Sequence, residues 1–423
     1  MKKKKVELLA PAGNLKKLKT AFAFGADAVY FGVPDFSLRV RINDFSLKDM
    51  KKGIDYAHSL NKKAYVTLNI FAHNTHLAKL KKHIENLKAL GPDALFVSDP
   101  GIIYLIKEIW PEAKISLSTQ ANCTNWMSAQ MYKDMGVKRI ILGRELALKE
   151  IKEVINKVPK LEIETFVHGA LCMAYSGRCF LSKQLIDRDA NLGDCAQPCR
   201  WEYEIKPRGH DAKFILGEDK NGSYIFNSLD LCLIKRVPEM ISAKIKAFKI
   251  EGRAKSVYYL ANVVGAYRRA IDISSDKNIS ANDRKKQLSY LYKELEDKLY
   301  HRDYTEGFMF NSGKEKAQNV NNDNNLPNWE FCGQIINSKK DSNIKSKDKY
   351  KTEIKVHNTL KKGDTVELVM PGYEVLKFKL KKMLDKDSQE EIIEAHGGGG
   401  GQTVYMYFEK EIPSLSVLRR KIN

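Results

Sequence analysis

The sequence predicts an α/β protein: a (β/α)8 barrel of the TIM type with a Cys-rich insertion, followed by a small C-terminal β-barrel domain. Two observations predict this architecture. The barrel is predicted because short apolar runs alternate with amphipathic helical stretches through residues 1–275, and eight such runs occur there. The C-terminal domain is predicted because the pattern changes to short alternating strands after residue 328. We therefore expect a barrel domain at 1–275 with the insertion at about 169–245, a helical connector and linker at 276–327, and the β-domain at 328–423.

The eight barrel strands are expected where β-branched and apolar residues cluster. They are Val6–Leu9, Ala28–Phe31, Ala64–Ile70, Ala94–Val97, Ile115–Ser118, Arg139–Leu142, Ile163–Val167 and Ala247–Ile250. Between strands, the helical period is clearest from His76 to Leu90, where we expect Leu77, Leu80, Ile84 and Leu87 on one face. Turns of small residues, such as the one beginning at Gly91, precede the next strand.

The C-terminal part begins after a segment rich in Asn, Gly and Lys, Asn311 to Asn328, which is typical of a linker. Short strands follow it, at Lys351–Val356, Asp364–Val369, Leu376–Lys381 and Thr403–Phe408. Their alternation of polar and apolar residues predicts a β-domain with one buried face.

Composition excludes a membrane protein, because no apolar stretch approaches the ~20 residues that span a bilayer. Seven cysteines without a secretory signal favour reduced thiols in the cytoplasm over a disulfide framework. The net charge of +20 favours a polyanionic partner such as RNA. Solvated surface lysines without a binding role are the alternative, and the sequence identifies no protein partner.

Four cysteines form a cluster with the spacing C-x6-C-x15-C-x3-C: Cys172, Cys179, Cys195 and Cys199. Thiolates that converge on one point suit zinc or an iron–sulfur cluster. The paired C-x2-C pattern of structural zinc is absent, so a [4Fe-4S] cluster is favoured. Cys232 lies close to the eighth strand and is a second candidate for the fourth ligand, which stays open between Cys199 and Cys232. Buried free cysteines are the alternative to a metal centre.

Polar residues follow most predicted strands at the carboxyl ends, where active sites of such barrels lie. The candidates for catalysis are His168, Arg144 and Glu251, and the candidates for substrate binding are Arg39, Arg41, Arg253, Asn69 and Gln120. His168 directly precedes the cysteine loop and is a candidate proton donor. For each of these residues a structural role, as a helix cap, a turn residue or a core histidine, is the alternative.

One long segment resembles a family signature. It reads His-Gly-Ala-Leu-Cys-Met-Ala-Tyr-Ser-Gly-Arg-Cys from His168 to Cys179, and continues in Asp194-Cys195 and Cys199-Arg200-Trp201. The pattern closely resembles that of the collagenase-like peptidase family U32. Similar segments cover most of the barrel and include Leu8 to Asn14, Gly25 to Gly32, Phe36 to Arg41 and Lys249 to Arg253.

The resemblance implies a function in RNA modification. The Cys-x3-Cys-Arg-Trp pattern with a C-terminal β-domain resembles a tRNA hydroxylation subgroup, whose members form 5-hydroxyuridine at the tRNA wobble position in a prephenate-dependent reaction. A [4Fe-4S] cluster is implied, and some relatives take its fourth ligand from the position of Cys232. The two carboxylates of prephenate would need paired guanidinium groups. Arginines that follow the strands could supply them, or could instead form salt bridges with nearby acids.

Two other functions compete with RNA modification. Proteolysis is suggested by the family name, but the sequence has no His-Glu-x-x-His or Gly-x-Ser-x-Gly motif and no cysteine obviously paired with a base. The third is a non-catalytic RNA-binding protein whose cluster only stabilises the fold. The positive charge and the β-domain fit it equally well.

Overall fold

In the computed structural model of the protein, the described residues form two domains that pack against each other. These residues are 6–33, 36–37, 45–171, 179, 181–192, 194–198, 218–219, 222–223, 229–310, 324–325, 327–342, 349–398 and 400–422. The candidate residues Arg39, Arg41, Cys172 and Cys199 lie outside them. Within these ranges, no helix combines the length and the apolar composition needed to cross a membrane.

Eight parallel strands close into a barrel. The last strand, Ala247–Ile250, pairs with Glu7–Pro11 on one side and with Glu162–Ala170 on the other, so the barrel has no free edge. In chain order the strands are Glu7–Pro11, Ala28–Gly32, Lys63–Leu68, Ala94–Val97, Ile115–Leu117, Arg139–Ile141, Glu162–Ala170 and Ala247–Ile250. Each overlaps the strand predicted for it, so the predicted barrel is confirmed.

Helices follow the barrel strands and cover them. Asn14 and Asp99 cap two of these helices, because each side chain accepts a backbone N–H of the first turn. Leu80, Ile84 and Leu87 are the buried residues of a third, as their spacing predicted. Leu77, which was expected to share their buried face, lies in the first turn of that helix and is 42% exposed. The helices are Leu15–Ala23, Leu47–Ser59, Asn74–Leu90, Pro100–Ile109, Trp126–Asp134, Leu148–Lys157, Val237–Ser242 and Val257–Ser275, with a short 3₁₀ helix at Thr119–Ala121.

The insertion lies between the seventh and eighth barrel strands. It contains a strand, Asp230–Cys232, that runs antiparallel to the last residues of Glu162–Ala170. Tyr304–Thr305 extends the sheet by pairing with that strand in parallel. The other described elements of the insertion are Leu181–Ile186, Ala190–Leu192, Glu218–Asp219, Gly222–Ser223 and Ile234–Arg236. The barrel sheet therefore has two additional short strands, Asp230–Cys232 and Tyr304–Thr305, beside the end of its seventh strand.

The C-terminal domain is built on an antiparallel sheet of eight strands. In spatial order they are Glu374–Lys379, Thr365–Met370, Val417–Lys421, Trp329–Lys340, Tyr350–Val356, Thr403–Phe408, Met383–Asp385 and Glu391–Ile392. The rings of Phe378 and Phe408 meet at 5.5 Å although their strands are far apart in this order, so the sheet curls round its own core. The predicted C-terminal β-domain is confirmed. Smaller elements are Ala281–Lys298, His301–Arg302, Gly307–Phe310, Asn324–Asn325, Leu360–Lys361 and Glu394–Ala395.

One buried arginine joins the two domains. Arg419, in the last strand of the C-terminal domain, is fully buried. Its guanidinium donates to Glu367 of its own domain at 2.8 Å and to Asn262 of the helix Val257–Ser275 at 2.9 Å. It also pairs with Glu294 of the helix that connects the domains. A buried charge with partners on both sides fixes the orientation of the domains, because separating them would leave it unpaired.

Candidate functional site

A saturated ion network fills the amino-terminal end of the barrel. Arg139 donates to Glu162 at 2.7 and 2.9 Å, to Glu164 at 3.3 Å and to Glu7 at 2.5 Å. The hydroxyl of Tyr65 donates to Glu7 at 2.9 Å. Burial by itself would raise the pKa of Glu7, but the ion pairs with Arg139 and Lys63 together outweigh burial, and the pKa is lowered. Every nitrogen of this guanidinium has an acceptor, so the network has a structural role.

Lys249 stands in the middle of the barrel, above that network. It is buried, and its Nζ lies 3.8 Å from the ring centre of Phe96 and 4.3 Å from that of Tyr30. Glu164 is its nearest acid, at 3.4 Å. Burial lowers the pKa of Lys249 to about 8, although Glu164 acts in the opposite direction. The amine therefore loses its proton more easily than an ordinary lysine.

Arg144 and Glu251 form an ion pair at the carboxyl end of the barrel. One nitrogen of Arg144 donates to Glu251 at 2.9 Å and another donates to the carbonyl of Ala170 at 3.1 Å. The guanidinium lies 4.0 Å from the ring centre of Phe166. Its Nε is buried and has no hydrogen-bond partner among the described residues. The structure thus brings together two of the predicted catalytic residues and leaves one strong donor of the pair unused.

Further polar side chains lie at the mouth of the barrel, directly after the third, fourth and fifth strands. The amide of Asn69 donates to the hydroxyl of Ser118 at 3.4 Å, and the hydroxyl of Ser98 donates to the carbonyl of Asn69 at 3.2 Å. The backbone N–H of Gln120 lies 3.4 Å from the same Ser118 hydroxyl. The side-chain Oε1 of Gln120 is buried without a hydrogen-bond partner in the described part of the chain. The two predicted binding residues, Asn69 and Gln120, therefore share one serine.

Arg253 reaches across to the second and third strands. Its Nη1 lies 3.4 Å from the hydroxyl of Thr67. A Cβ at Gly32 would stand 2.9 Å from the same nitrogen, and a Cβ at Gly13 would stand 2.7 Å from the carbonyl of Arg253. Glycine is therefore needed at both positions for this arginine to fit. Arg253 and Arg144 are the predicted guanidinium groups that the structure places at the mouth.

His168 lies behind the barrel wall. One extra residue in the seventh strand shifts the register between the partners of Lys249 and Ile250, which reverses the alternation of side chains from His168 onward. The ring packs among Tyr259, Tyr267 and Tyr304. Burial lowers the pKa of His168 to about 3, so the ring is uncharged at neutral pH. Its predicted catalytic role stays a prediction.

Two cysteines of the cluster lie in the described part of the insertion. The backbone of Cys179 exchanges hydrogen bonds of 3.2 Å in both directions with the side chain of Asn191. Cys195 is exposed, and the N–H of Gln197 points at its sulfur from 3.3 Å. Both thiols are free of disulfides. A free thiol held in a polar loop and approached by a backbone N–H suits a soft metal ligand.

Cys232 has a different environment. It is buried, its backbone is paired with that of His168, and its sulfur lies 3.9 Å from the hydroxyl of Tyr267. Burial raises the pKa of the Cys232 thiol to about 12, so without a metal it stays protonated. No three His, Cys, Asp or Glu side chains of the described residues converge as a metal site. The set of cluster ligands stays a prediction, because Cys172 and Cys199 lie outside the described residues.

The candidates Arg39, Arg41, Cys172 and Cys199 lie outside the described residues, so their predicted roles stay predictions. Sequence reasoning missed Lys249 and Glu164 as parts of the barrel interior. A signal for Lys249 was present, because the period of two in Ala247–Ile250 places it on the face opposite Phe248 and Ile250. A charged residue on the inward face of an otherwise apolar strand indicates a partner inside the barrel.

Comparison with known proteins covers both domains. The family model described as "Peptidase family U32" matches residues 13–319, and the one described as "Peptidase family U32 C-terminal domain" matches residues 327–419. The first match spans more than half of the chain.

Three curated relatives are similar to this chain. A protein named tRNA hydroxylation protein P from Haemophilus influenzae is 38% identical, over 94% of this chain and 92% of its own length. A protein of the same name from Escherichia coli is 41% identical, over 87% of this chain and 86% of its own length. A protein named Collagenase from Porphyromonas gingivalis is 32% identical, over 63% of this chain and 65% of its own length.

Proposed function

The chain belongs to peptidase family U32, and from that premise we propose that it is a tRNA-modifying enzyme. Its reaction is the prephenate-dependent 5-hydroxylation of the wobble uridine of tRNA, in the cytoplasm, with a [4Fe-4S] cluster. The observation that carries the proposal is the similarity to two proteins named tRNA hydroxylation protein P, which extends through both domains. The relative named Collagenase covers a smaller share of the chain.

The charge of the protein supports an RNA substrate. A net charge of +20 attracts a polyanion, and each phosphate that a lysine or arginine neutralises releases a counterion. A proteolytic enzyme has no comparable need for this excess. The charge therefore favours tRNA over a collagen-like substrate.

The cluster would be held by Cys172, Cys179, Cys195 and either Cys199 or Cys232. The donor set fits, because Cys179 and Cys195 are free thiols in polar loops. When bound, such a cluster supplies one-electron redox chemistry. The fourth ligand stays open: the sulfur of Cys232 is buried beside Tyr267, and Cys199 lies outside the described residues.

The mouth of the barrel supports the binding of a small hydroxy-dicarboxylate such as prephenate. Among the residues that the structure describes, the Nε of Arg144 and the Oε1 of Gln120 have no hydrogen-bond partner. The first is a charged donor suited to a carboxylate, and the second is an acceptor suited to a hydroxyl. Arg253 adds a second guanidinium at the mouth. Glu251 holds Arg144 in place, and Phe166 stacks beneath it, so the group is oriented before any ligand arrives.

The function is tested on tRNA from a strain that lacks the gene. Digestion of that tRNA and mass analysis of its nucleosides should show loss of 5-hydroxyuridine, and the wild-type gene should restore it. Retention of the modified nucleoside in the deletion strain contradicts the proposal. Hydrolysis of gelatin by cluster-containing protein free of serine proteases would instead favour a peptidase.

The metal centre is tested by purifying the protein without oxygen and measuring iron, sulfide and zinc. We expect about four irons per chain and negligible zinc. Cys195→Ser should lose the iron, whereas Cys332→Ser, at a buried thiol of the C-terminal domain, should retain it. Comparing Cys199→Ser with Cys232→Ser identifies the fourth ligand. Equal iron content in Cys195→Ser and the wild type contradicts the assignment.

A further inference from the structure

A groove of about 560 Å³ opens on the C-terminal domain, away from the barrel mouth in sequence and in sheet. It lies where the sheet curls, between the strand Glu374–Lys379 and the strand Thr403–Phe408. In the described sheet, Glu374–Lys379 is an edge strand. The floor of the groove is apolar and consists of Leu376, Phe378, Leu380, Met406 and Phe408.

The rim of the groove is basic. Four lysines line it, Lys379, Lys381, Lys382 and Lys410, against one acid, Glu409. Two of the lysines have acidic neighbours: Lys382 lies 3.6 Å from Glu391 and Lys410 lies 3.7 Å from Glu374, with all four side chains exposed. Such exposed pairs hold a side chain weakly. Within the described ranges, Lys379 and Lys381 have no acidic partner, so the rim keeps a net positive charge.

An aromatic ring completes the rim. Tyr407 lines the groove, and its hydroxyl donates to Asp341 at 3.4 Å. Because the hydroxyl is engaged in that hydrogen bond, the aromatic ring is the part of Tyr407 that is available to a ligand in the groove. Phe378 and Phe408 also line the groove, with their rings in contact at 5.5 Å. Lysines that border an apolar floor with aromatic rings are the combination that binds single-stranded nucleic acid, since bases stack on rings while phosphates meet cations.

We propose that this groove binds a single-stranded stretch of the tRNA substrate, with phosphates along Lys379 and Lys381 and a base against Tyr407. The inference rests on the proposed function and extends it, because it assigns part of the recognition of tRNA to the C-terminal domain. The charge of the rim selects RNA over an apolar peptide, which would leave the lysines unpaired. The groove is distinct from the residues at the barrel mouth.

Lysines at a sheet edge also prevent strands of different molecules from pairing. The two roles predict different results for a change of charge sign. Glutamate protects an edge as well as lysine does, but it repels phosphate. Substituting glutamate for Lys379 and Lys381 therefore keeps the edge strand protected and removes only the attraction for RNA.

The first test measures the affinity of the full-length protein for tRNA by fluorescence anisotropy over a series of salt concentrations. The double variant Lys379→Glu, Lys381→Glu should bind about tenfold more weakly, with a salt dependence reduced by the contribution of about two phosphates. The matched control is Lys81→Glu, Lys82→Glu, on the exposed face of the barrel helix Asn74–Leu90, which carries the same change of net charge. An equal loss of affinity in both variants overturns the proposal.

The second test separates stacking from charge. Tyr407→Leu should weaken binding about tenfold without altering the salt dependence, and Tyr407→Phe should bind like the wild type. Identical affinities for the leucine and phenylalanine variants overturn the stacking contact. Near-ultraviolet circular dichroism of each variant checks that the domain is folded.

Failure of this inference and failure of the proposed function give different results. If the deletion strain keeps 5-hydroxyuridine, the function is wrong. If the nucleoside is lost in that strain but the groove variants restore it fully and bind tRNA like the wild type, the function stands and the groove inference is overturned. Preferential binding of an acidic peptide over tRNA at the groove also overturns it.

Discussion

The two ends of the barrel use the same residue types in different ways. At the amino-terminal end, Arg139 has an acceptor for every nitrogen, and two of its three carboxylate partners, Glu7 and Glu164, are largely or fully buried. At the carboxyl end, Arg144 pairs with Glu251 but keeps a buried Nε without a partner among the described residues. A closed network stabilises the fold, whereas an open one retains binding capacity. The difference indicates which end of the barrel carries the chemistry.

The largest expected effect is a loss of stability at the amino-terminal end of the barrel. Arg139→Met leaves the buried carboxylates of Glu7 and Glu164 without their main partner, so the free energy of unfolding should fall by about 3–5 kcal/mol. Urea denaturation measures it. The control Lys51→Met, at an exposed pair with Asp55, should change stability by less than about 1 kcal/mol. Hydroxylation by the folded variant should be retained, and its loss would contradict the contrast between the two ends.

The next largest expected effect is a loss of activity at the carboxyl end of the barrel. Glu251→Gln keeps the shape of the side chain but removes the charge that holds Arg144, so hydroxylation should fall on the order of a hundredfold with little change in melting temperature. Glu162→Gln, which faces Arg139 at the other end, is the matched control and should keep full activity. Modified nucleosides are quantified in a deletion strain that carries each variant. Equal activity of the two variants would remove the functional distinction.

Lys249 lies between the two ends of the barrel. Because its burial lowers its pKa, the stability of the protein should depend on pH through this residue. Its pKa is about 8 in the folded protein against an ordinary value of 10.5. The unfolded chain therefore binds more protons between these values, and the stability contributed by this residue rises with pH there by up to about 1.4 kcal/mol per pH unit. Denaturation of the wild type and of Lys249→Met at pH 8 and pH 10 measures the difference. Parallel curves would show that Lys249 titrates normally.

The smallest expected effects concern stability and substrate binding at Gln120, in the mouth of the barrel. Gln120→Leu removes a buried acceptor that has no described partner, so stability should stay equal or rise by up to about 1 kcal/mol. The KM for prephenate should rise a few-fold if the side chain contacts that substrate. Asn69→Ala serves as comparison, because it breaks a formed hydrogen bond to Ser118 and should lower stability. A clear loss of stability in Gln120→Leu would mean that the side chain has a structural role.

Strand periods and motif spacing were enough to predict the barrel, its insertion and the β-domain. Ala94–Val97 and Ala247–Ile250 even have their predicted bounds. These elements depend on local pattern, since apolar residues at a period of two have one way to be buried. The ion pair of Arg144 with Glu251 was one of two outcomes considered from the sequence. Choosing between them required the distance between two strand ends that lie far apart in the chain.

The orientation of His168 could not be predicted, because one extra residue reverses which face a side chain takes. Nothing in the residues around Val167 signals that irregularity, which arises from how the seventh strand meets the eighth. The burial of Cys232 against Tyr267 was equally beyond the sequence. Spacing shows which residues are near in the chain, and only the fold shows which side chains surround a thiol.

The position of the closing strand has a consequence for biosynthesis. Ala247–Ile250 is synthesised only after the whole insertion, so until then Glu7–Pro11 and Glu162–Ala170 each offer an unpaired flank. During translation the nascent chain therefore exposes two strand edges that can pair with neighbouring chains.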